Sequence, residues 1–550
     1  MKGTYRVLCI SLLGVFFAAS IPAVACIRAK REVHIKKYAK PGDDITVVLQ
    51  KLIDKYSTII IDPGTWYISP GVKLRSDVTI KGVDKETSIL KRNDANGRIK
   101  GGVLFYTEKA DVYVFTKQNP KDNFDEAKVK YSNILFKDLT IDFNRNPLTH
   151  SSEQIAKTNL FGIIFSRGKN FVVDNCRFLD SMNHSANNGC PAVSFLQSRN
   201  CSIVDCVSKH VTLVKSVYSR DVTVARNLCE DSIGTSIEFV CGDGGVLDSN
   251  YVNGVYWDVS CVGVNTTNCL IRNNTIYSSS DNVSCLTLGH RGYEGFSASG
   301  TVVSGNNLHS EGVRSILIQN GSDIYIENNS LSCSLTEDSS TPTFGCIVAR
   351  GEDIGNITIV DNEMSAFGEK IYGAITYAGC GNVTMRNNHI KSRRGIVLFP
   401  NGNDIIVENN TIESSEYAIC ASSPAGLYVT GNHMTDGLSV KGGNSIVIEH
   451  NSFSEIVHPT YIYENWDDVS ISDNTFSNCD KIQELFLLNV EHKEASFDMS
   501  RINVSRNEVM KGPNYLIRFS GNKGKKSLRN VMVKGERNVI EADNNNLGIE

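Results

Sequence analysis

Chemistry is most readable around Glu238 and the charged and aromatic residues near it in the chain. Lys209 and His210 precede it; Tyr256, Trp257 and Asp258 follow, then Asp281, then His290, Arg291 and Tyr293. Two carboxylates, one kept protonated and one ionised, cleave a glycosidic bond when their spacing is right. Glu238 with Asp258 or Asp281 can form such a pair. A base beside a cation can instead remove the proton next to a sugar carboxylate and stabilise the charge that develops. His210, Lys209, His290 and Arg291 are of the types that chemistry needs. Tyr256, Trp257 and Tyr293 offer ring faces on which a sugar packs, with Lys209 at the same edge. Each residue also has a plainer use. An outward Glu can be solvated, His290 and Arg291 can end a turn, Trp257 can pack under a loop, and Asp281 can cap its own turn. The gathering of these types is the signal.

What must position them is a repeat. Asn268–His290 and Gly300–Gly321 each hold a short alternating apolar segment, an Asn-Asn pair, one apolar residue, a polar turn and a second alternating segment. The pairs recur at Asn273-Asn274, Asn306-Asn307, Asn328-Asn329, Asn387-Asn388 and Asn409-Asn410, with single asparagines at Asn362, Asn432, Asn451, Asn474 and Asn507. Asn274 to Asn307 spans 33 residues and Asn388 to Asn410 spans 22, so the shortest unit is about 22 residues. A unit this short buries its apolar face only against its neighbours. Strands stacked ~4.8 Å apart let identical side-chain amides bond up and down the stack, so the asparagines are expected to form a ladder at a turn.

The second segments align by an inward residue: Ile163, Val193, Val211, Ile237, Val262, Leu286, Ile316, Ile347, Ile375, Ile396 and Ile419. One residue later the side chain faces outward. That column contains Thr212, Glu238 and Gly263, so Glu238 is expected between two small neighbours, in a depression. Asp231, Tyr256, Trp257 and Asp281 fall at the edge of the same face.

These repeats resemble the right-handed parallel β-helix proteins of the pectin-lyase-like superfamily, from roughly Asp43 to the C-terminal region. Thr58–Asp62, Pro63-Gly64-Thr65-Trp66-Tyr67 and Ile68 resemble the start of the first coil in many members. The resemblance implies an all-β fold, a single-stranded right-handed parallel β-helix. It also implies enzymes acting on polysaccharides. A glycoside hydrolase comes first, a polysaccharide lyase close behind, and a non-catalytic glycan-binding or adhesive protein third. A lyase would call for Ca²⁺. The Arg and Pro motifs of pectate lyases are not visible. Ser280-Asp281-Asn282 and Gly289-His290-Arg291 only faintly echo polygalacturonases, which argues against pectin as substrate.

The remaining signals set the boundaries. Lys2 and Arg6, the apolar run Val7–Ala19 and Ala23-Val24-Ala25 read as a secretory signal peptide over 1–25, with Cys26 open to lipidation as an anchor. A secreted, periplasmic or cell-surface monomer is expected, with no membrane span. Residues 26–82 form a lead-in, a cap and the first coils; the apolar stripe Ile45, Val48, Leu49, Leu52 and Ile53 predicts a helix from Ile45 to about Tyr56, capped by Asp43 or Asp44, that covers the solenoid's N-terminal end. The rhythm breaks over 83–130 and returns over 131–550. A net charge of −4 offers no nucleic-acid groove. Of the 16 cysteines, Cys261, Cys285 and Cys346 stand at a place of the repeat that is small in other coils, which favours packing over disulfides. No Cys/His spacing suggests a metal site.

Overall fold

The computed structural model describes residues 31–93, 102–108, 124–145, 160–181, 191–232, 234–255, 260–279, 283–291, 295–334, 344–368, 371, 373–379, 381–399, 403–479, 481–489, 502–510, 515–520, 531–534 and 540–542. The signal segment, Cys26, Tyr256, Trp257, Asp258, Asp281 and Tyr293 lie outside these residues.

Each coil visits three parallel sheets in turn. Sheet I contains Tyr131–Lys137, Gly168–Asp174 and Arg199–Val204; sheet II contains Thr140–Arg145, Arg177–Ser181 and Val207–Lys209; sheet III contains Leu160–Ser166, Pro191–Leu196 and Thr212–Val217. Every strand pairing among the described residues is parallel and joins one coil to the next. In some coils, such as Ile237–Asp248 and Ser260–Arg272, one strand bends from sheet III straight into sheet I.

The turn from sheet I to sheet II explains the asparagine pair. Its first residue takes a left-handed conformation, as at Asn273 (φ 55°) and Asn328 (φ 53°), which asparagine tolerates better than most residues. The second turns inward. Asn227, Asn250, Asn274, Asn306, Asn329, Asn362, Asn388, Asn410, Asn432, Asn451, Asn474 and Asn507 each bond the next amide in a continuous ladder. The expected ladder is present, with one correction. In the coil of Asn306-Asn307 the first asparagine is the inward one, because Gly305 (φ 62°) has taken the left-handed place. Asn227 and Asn250 extend the ladder towards the N-terminus.

Inside, apolar residues stack by position. Phe165 lies on Phe171 and Phe195 with ring centroids 4.6 and 5.6 Å apart. Cys261, Cys285 and Cys346 are buried in this core. A helix, α1 (Thr46–Lys55), buries Leu49, Leu52 and Ile53 against the first coil. Asp44, not Asp43, holds its first turn by accepting from the Thr46 backbone N–H at 2.9 Å. The lead-in is not wholly exposed: Glu32–His34 forms a strand paired with Thr58–Ile61, and Val33 and Ile35 are buried. Within 83–130 the coil order continues through Ser88–Arg92 and Gly102–Tyr106, which pair with neighbouring coils. No helix among the described residues is long and apolar enough to cross a membrane.

Candidate functional site

The outer face of sheet III carries Glu238, with a shift of register in one coil. From Ile237 to Ile419 the inward residues pair as the sequence suggests. In the coil before, Val214 and not Val211 pairs with Val193 and Ile237, so Lys215 and not Thr212 is the neighbour of Glu238. Leu213 fills the place that is small in other coils, so the run Val211–Val214 holds no mark that fixes its register. The consequence is chemical. Lys215 Nζ lies 2.7 Å from Glu238 Oε2, and both side chains are about a fifth to a quarter exposed (18% and 25%). A methyl group placed on the buried Gly263 would stand in ordinary van der Waals contact with Glu238 Cγ, Ser260 Oγ and Thr235 Cγ2, each at 3.6 Å, so the place has room for a methyl group and shows no open depression beside Glu238.

The walls differ in character. Phe161, Ile164, Leu196, Val217 and Val240 form a buried apolar patch outside the solenoid core, with Phe296 packed on it. Farther along the sheet, Asn265 Oδ1 and Thr287 Oγ1 are buried without a hydrogen-bond partner. At the turn from sheet II to sheet III, Asp180, His210 and Asp231 stack in one left-handed column (φ 54°, 55° and 48°). His210 Nδ1 donates to Asp180 Oδ1 at 2.8 Å, while its Nε2 and the Lys209 ammonium each lie 3.8 Å from Asp231 Oδ2. His210 and Lys209 therefore meet at Asp231, with Asp180 on the other side of the His210 ring. Lys215 is an addition that the shifted register hid, and Asp180 is a partner of His210 that the sequence reading did not single out. His290 is a turn-closing residue: its Nδ1 donates to the Arg291 carbonyl at 2.7 Å, its backbone N–H bonds the Phe296 carbonyl, and its ring meets Phe296 edge-on. Arg291 is exposed beside it.

A second cluster sits on the same face, beyond the coils in which the sequence drew attention. The outward column continues from Val397 through Cys420 and Ser439 to Tyr461. At its edge Arg393 and Arg394 both grip Glu416. Burial would raise the Glu416 carboxyl, but Arg394 and then Arg393 outweigh it and hold the group below the usual carboxylate range. Asp436, 1% exposed, accepts from the backbone N–H groups of Gly437, Val457 and His458. Its other oxygen receives His458 Nδ1–H at 2.7 Å. Tyr417 packs on the His458 ring at 5.0 Å, and Tyr461 stacks on Tyr463 at 4.5 Å. Burial raises the Tyr417 hydroxyl and pushes the Cys420 thiol up to about 11.

With fold and site described, comparison places the architecture. Residues 373–533 match the family model described as a right-handed beta helix region. The chain is a right-handed parallel β-helix protein. No curated protein sequence matches it. Among solved structures, the β-helix is similar to the Streptococcus pneumoniae surface protein and adhesin PfbA (13% identity, 89% of this chain and 100% of that one, TM-score 0.38). It is also similar to the A-module of the Azotobacter vinelandii mannuronan C-5 epimerase AlgE4 (12% identity, 90% and 99%, TM-score 0.26). A third is a DFA-IIIase from Arthrobacter chlorophenolicus A6 (12% identity, 74% and 83%, TM-score 0.35). At TM-scores no higher than 0.38 these likenesses carry no argument about site or activity. The family match does cover the second cluster of the β-helix. A signal for that cluster was present in the sequence: two to three residues before the inward residues Ile396, Ile419 and Leu438 stand Arg393 and Arg394, Glu416 and Tyr417, and Asp436.

Proposed function

We propose that this β-helix is an exported enzyme that cleaves a polysaccharide by hydrolysis, with Glu238 as its ionised carboxylate. The observation that carries the reading is the Lys215–Glu238 pair at 2.7 Å, set on the outer face of sheet III beside Gly263. A carboxylate held in an ion pair serves as base or nucleophile, not as proton donor. The donor would come from Asp258 or Asp281, and Tyr256, Trp257 and Tyr293 would give the sugar its ring contacts. Local charge favours a neutral glycan: Asp180, Asp231 and Glu238 outnumber Lys209 and Lys215, so a uronate brought to Glu238 meets more negative than positive charge.

One observation favours the lyase alternative. Arg314, two coil steps beyond the Gly263 coil, is largely buried, and its Nε has no hydrogen-bond partner. Burial, with Arg350 nearby, lowers its affinity for its proton. A guanidinium in that state would welcome a sugar carboxylate.

The test follows reducing ends and the absorbance of unsaturated uronates together, on neutral and acidic polysaccharides. Wild type, Glu238→Gln and Arg314→Gln are compared. Reducing ends without absorbance, falling ~10²–10⁴-fold in Glu238→Gln, are expected. Absorbance that disappears in Arg314→Gln and persists in Glu238→Gln would replace hydrolysis by elimination. Silence in both channels would leave an adhesive, non-catalytic protein.

A further inference from the structure

We infer that the second cluster, in the coils from Arg393 to Tyr463, is a separate binding site for neutral sugar residues that grips the polymer far from Glu238; this rests on the glycan reading above. Along the outward column, the steps from Glu238 run through Gly263, Thr287, Leu317, Val348, Thr376 and Val397 to Cys420. Seven coil steps of ~4.8 Å place the two clusters ~34 Å apart. Leu317, Val348, Thr376 and Val397 between them are buried, so the clusters are not two ends of one open polar groove.

The chemistry of the second cluster is that of sugar recognition. Exposed aromatics elsewhere on the β-helix, such as Tyr251, Tyr325 and Phe367, belong to coils far apart in sequence. Here Tyr417, His458, Tyr461 and Tyr463 gather half-buried within neighbouring coils, and ring faces of this kind stack on the apolar side of a pyranose. The rings are held in place before any ligand arrives. Asp436 anchors the His458 ring and the backbone beneath it with four bonds, and a contact surface fixed in advance loses less entropy on binding. Because Nδ1–H is committed to Asp436, Nε2 is the ring atom left for a sugar hydroxyl.

Charge selects the class of ligand. Arg393 and Arg394 are paired with Glu416, and Lys441 with Glu464 at 3.2 Å. With Asp436 the cluster sets three carboxylates against these three cations, so the site presents hydrogen-bonding edges to hydroxyls and no net positive charge for a carboxylate or sulfate. Neutral hexose or pentose units fit this arrangement.

Affinity electrophoresis of the full chain tests the inference without requiring turnover. Gels would contain laminarin, galactomannan, xyloglucan, arabinoxylan or, as the acidic comparison, polygalacturonate. On a Glu238→Gln background, which leaves the gel matrix uncleaved, the chain should be retarded by at least one neutral polymer. A Tyr461→Ala/Tyr463→Ala double variant and the milder His458→Gln should each lose at least about five-fold in affinity, with Tyr325→Ala as a surface control and circular dichroism checking the fold. Retardation unchanged in both variants, retardation by polygalacturonate alone, or none by any neutral polymer would overturn it. Loss in the tyrosine and histidine variants, with no cleavage by any form, would keep this site and remove the enzymatic reading.

Discussion

At the scale of single residues, the fold rests on side chains that satisfy backbone groups the turns leave open. Asn329 is 2% exposed; its amide donates to Asn362 Oδ1 and to the Val303 carbonyl, each at 2.9 Å, and its oxygen receives the backbone and side-chain N–H groups of Asn306. Asn329→Ala removes these bonds and leaves buried donors and an acceptor unmet in the coils on either side. We expect a loss of about 3 kcal/mol in a urea titration, far above the effect of an exposed substitution such as Glu352→Ala. A loss below about 1 kcal/mol would mean the ladder is ornament. The ladder was legible because asparagine at a fixed place has few other uses. What was not legible was which member of Asn306-Asn307 points inward, since glycine can hold the left-handed place as readily as asparagine. The partner of Glu238 escaped for a related reason: four consecutive residues, Val211 to Val214, suit either register, and only the paired backbone shows that Lys215 is the neighbour.

At the scale of elements, the first coil shows how short segments are tied down. The helix α1 was readable from its apolar stripe, whereas the strand Glu32–His34 is too brief for a period to appear. Its attachment depends on Asp62, which is nearly buried and accepts from His34 Nδ1 at 2.8 Å and from the Lys36 backbone N–H at 3.1 Å. Burial would raise the Asp62 carboxyl, but the bonds from His34 and Lys36 outweigh it and lower it. A carboxyl depressed in the folded state stabilises the fold above its unfolded value, about 3.9, and that contribution is lost as pH falls through the folded value. Hydrogen exchange at Val33 and Ile35 should therefore stay slow between pH 7 and pH 5, allowing for intrinsic rates, and show loss of protection below about pH 4. Asp62→Asn should lack that transition and show weaker protection at neutral pH. If the variant keeps the acid transition unchanged, another group ties the strand down.

At the scale of the whole molecule, the β-helix is a stack in which each coil touches its neighbours, so both its sites and its stability are distributed along one axis. That is why the repeat could be read from sequence while the second cluster was passed over: the inward residues were aligned only as far as Ile419, and Asp436, His458 and Tyr461 lie in the coils just beyond. Distributed stability makes a prediction about the thiols. Among the described cysteines only Cys420 is not buried. Burial pushes the thiols of Cys229 and Cys333 up to about 12, and those of Cys285 and Cys346 well above the ordinary range. Only the thiolate is alkylated, so native protein at pH 8 should react slowly even at Cys420, whose thiol stands at about 11, and faster as pH rises. The interior thiols must wait for their coils to open. In a nearest-neighbour stack an end coil opens against one neighbour and a central coil against two. Iodoacetamide labelling mapped by mass spectrometry should therefore modify Cys420 first, then Cys479 near the C-terminal end, and Cys285 and Cys346 last. Equal rates for Cys479, Cys285 and Cys346 would instead mean that the stack opens only as one cooperative unit, with its two sites made and lost together.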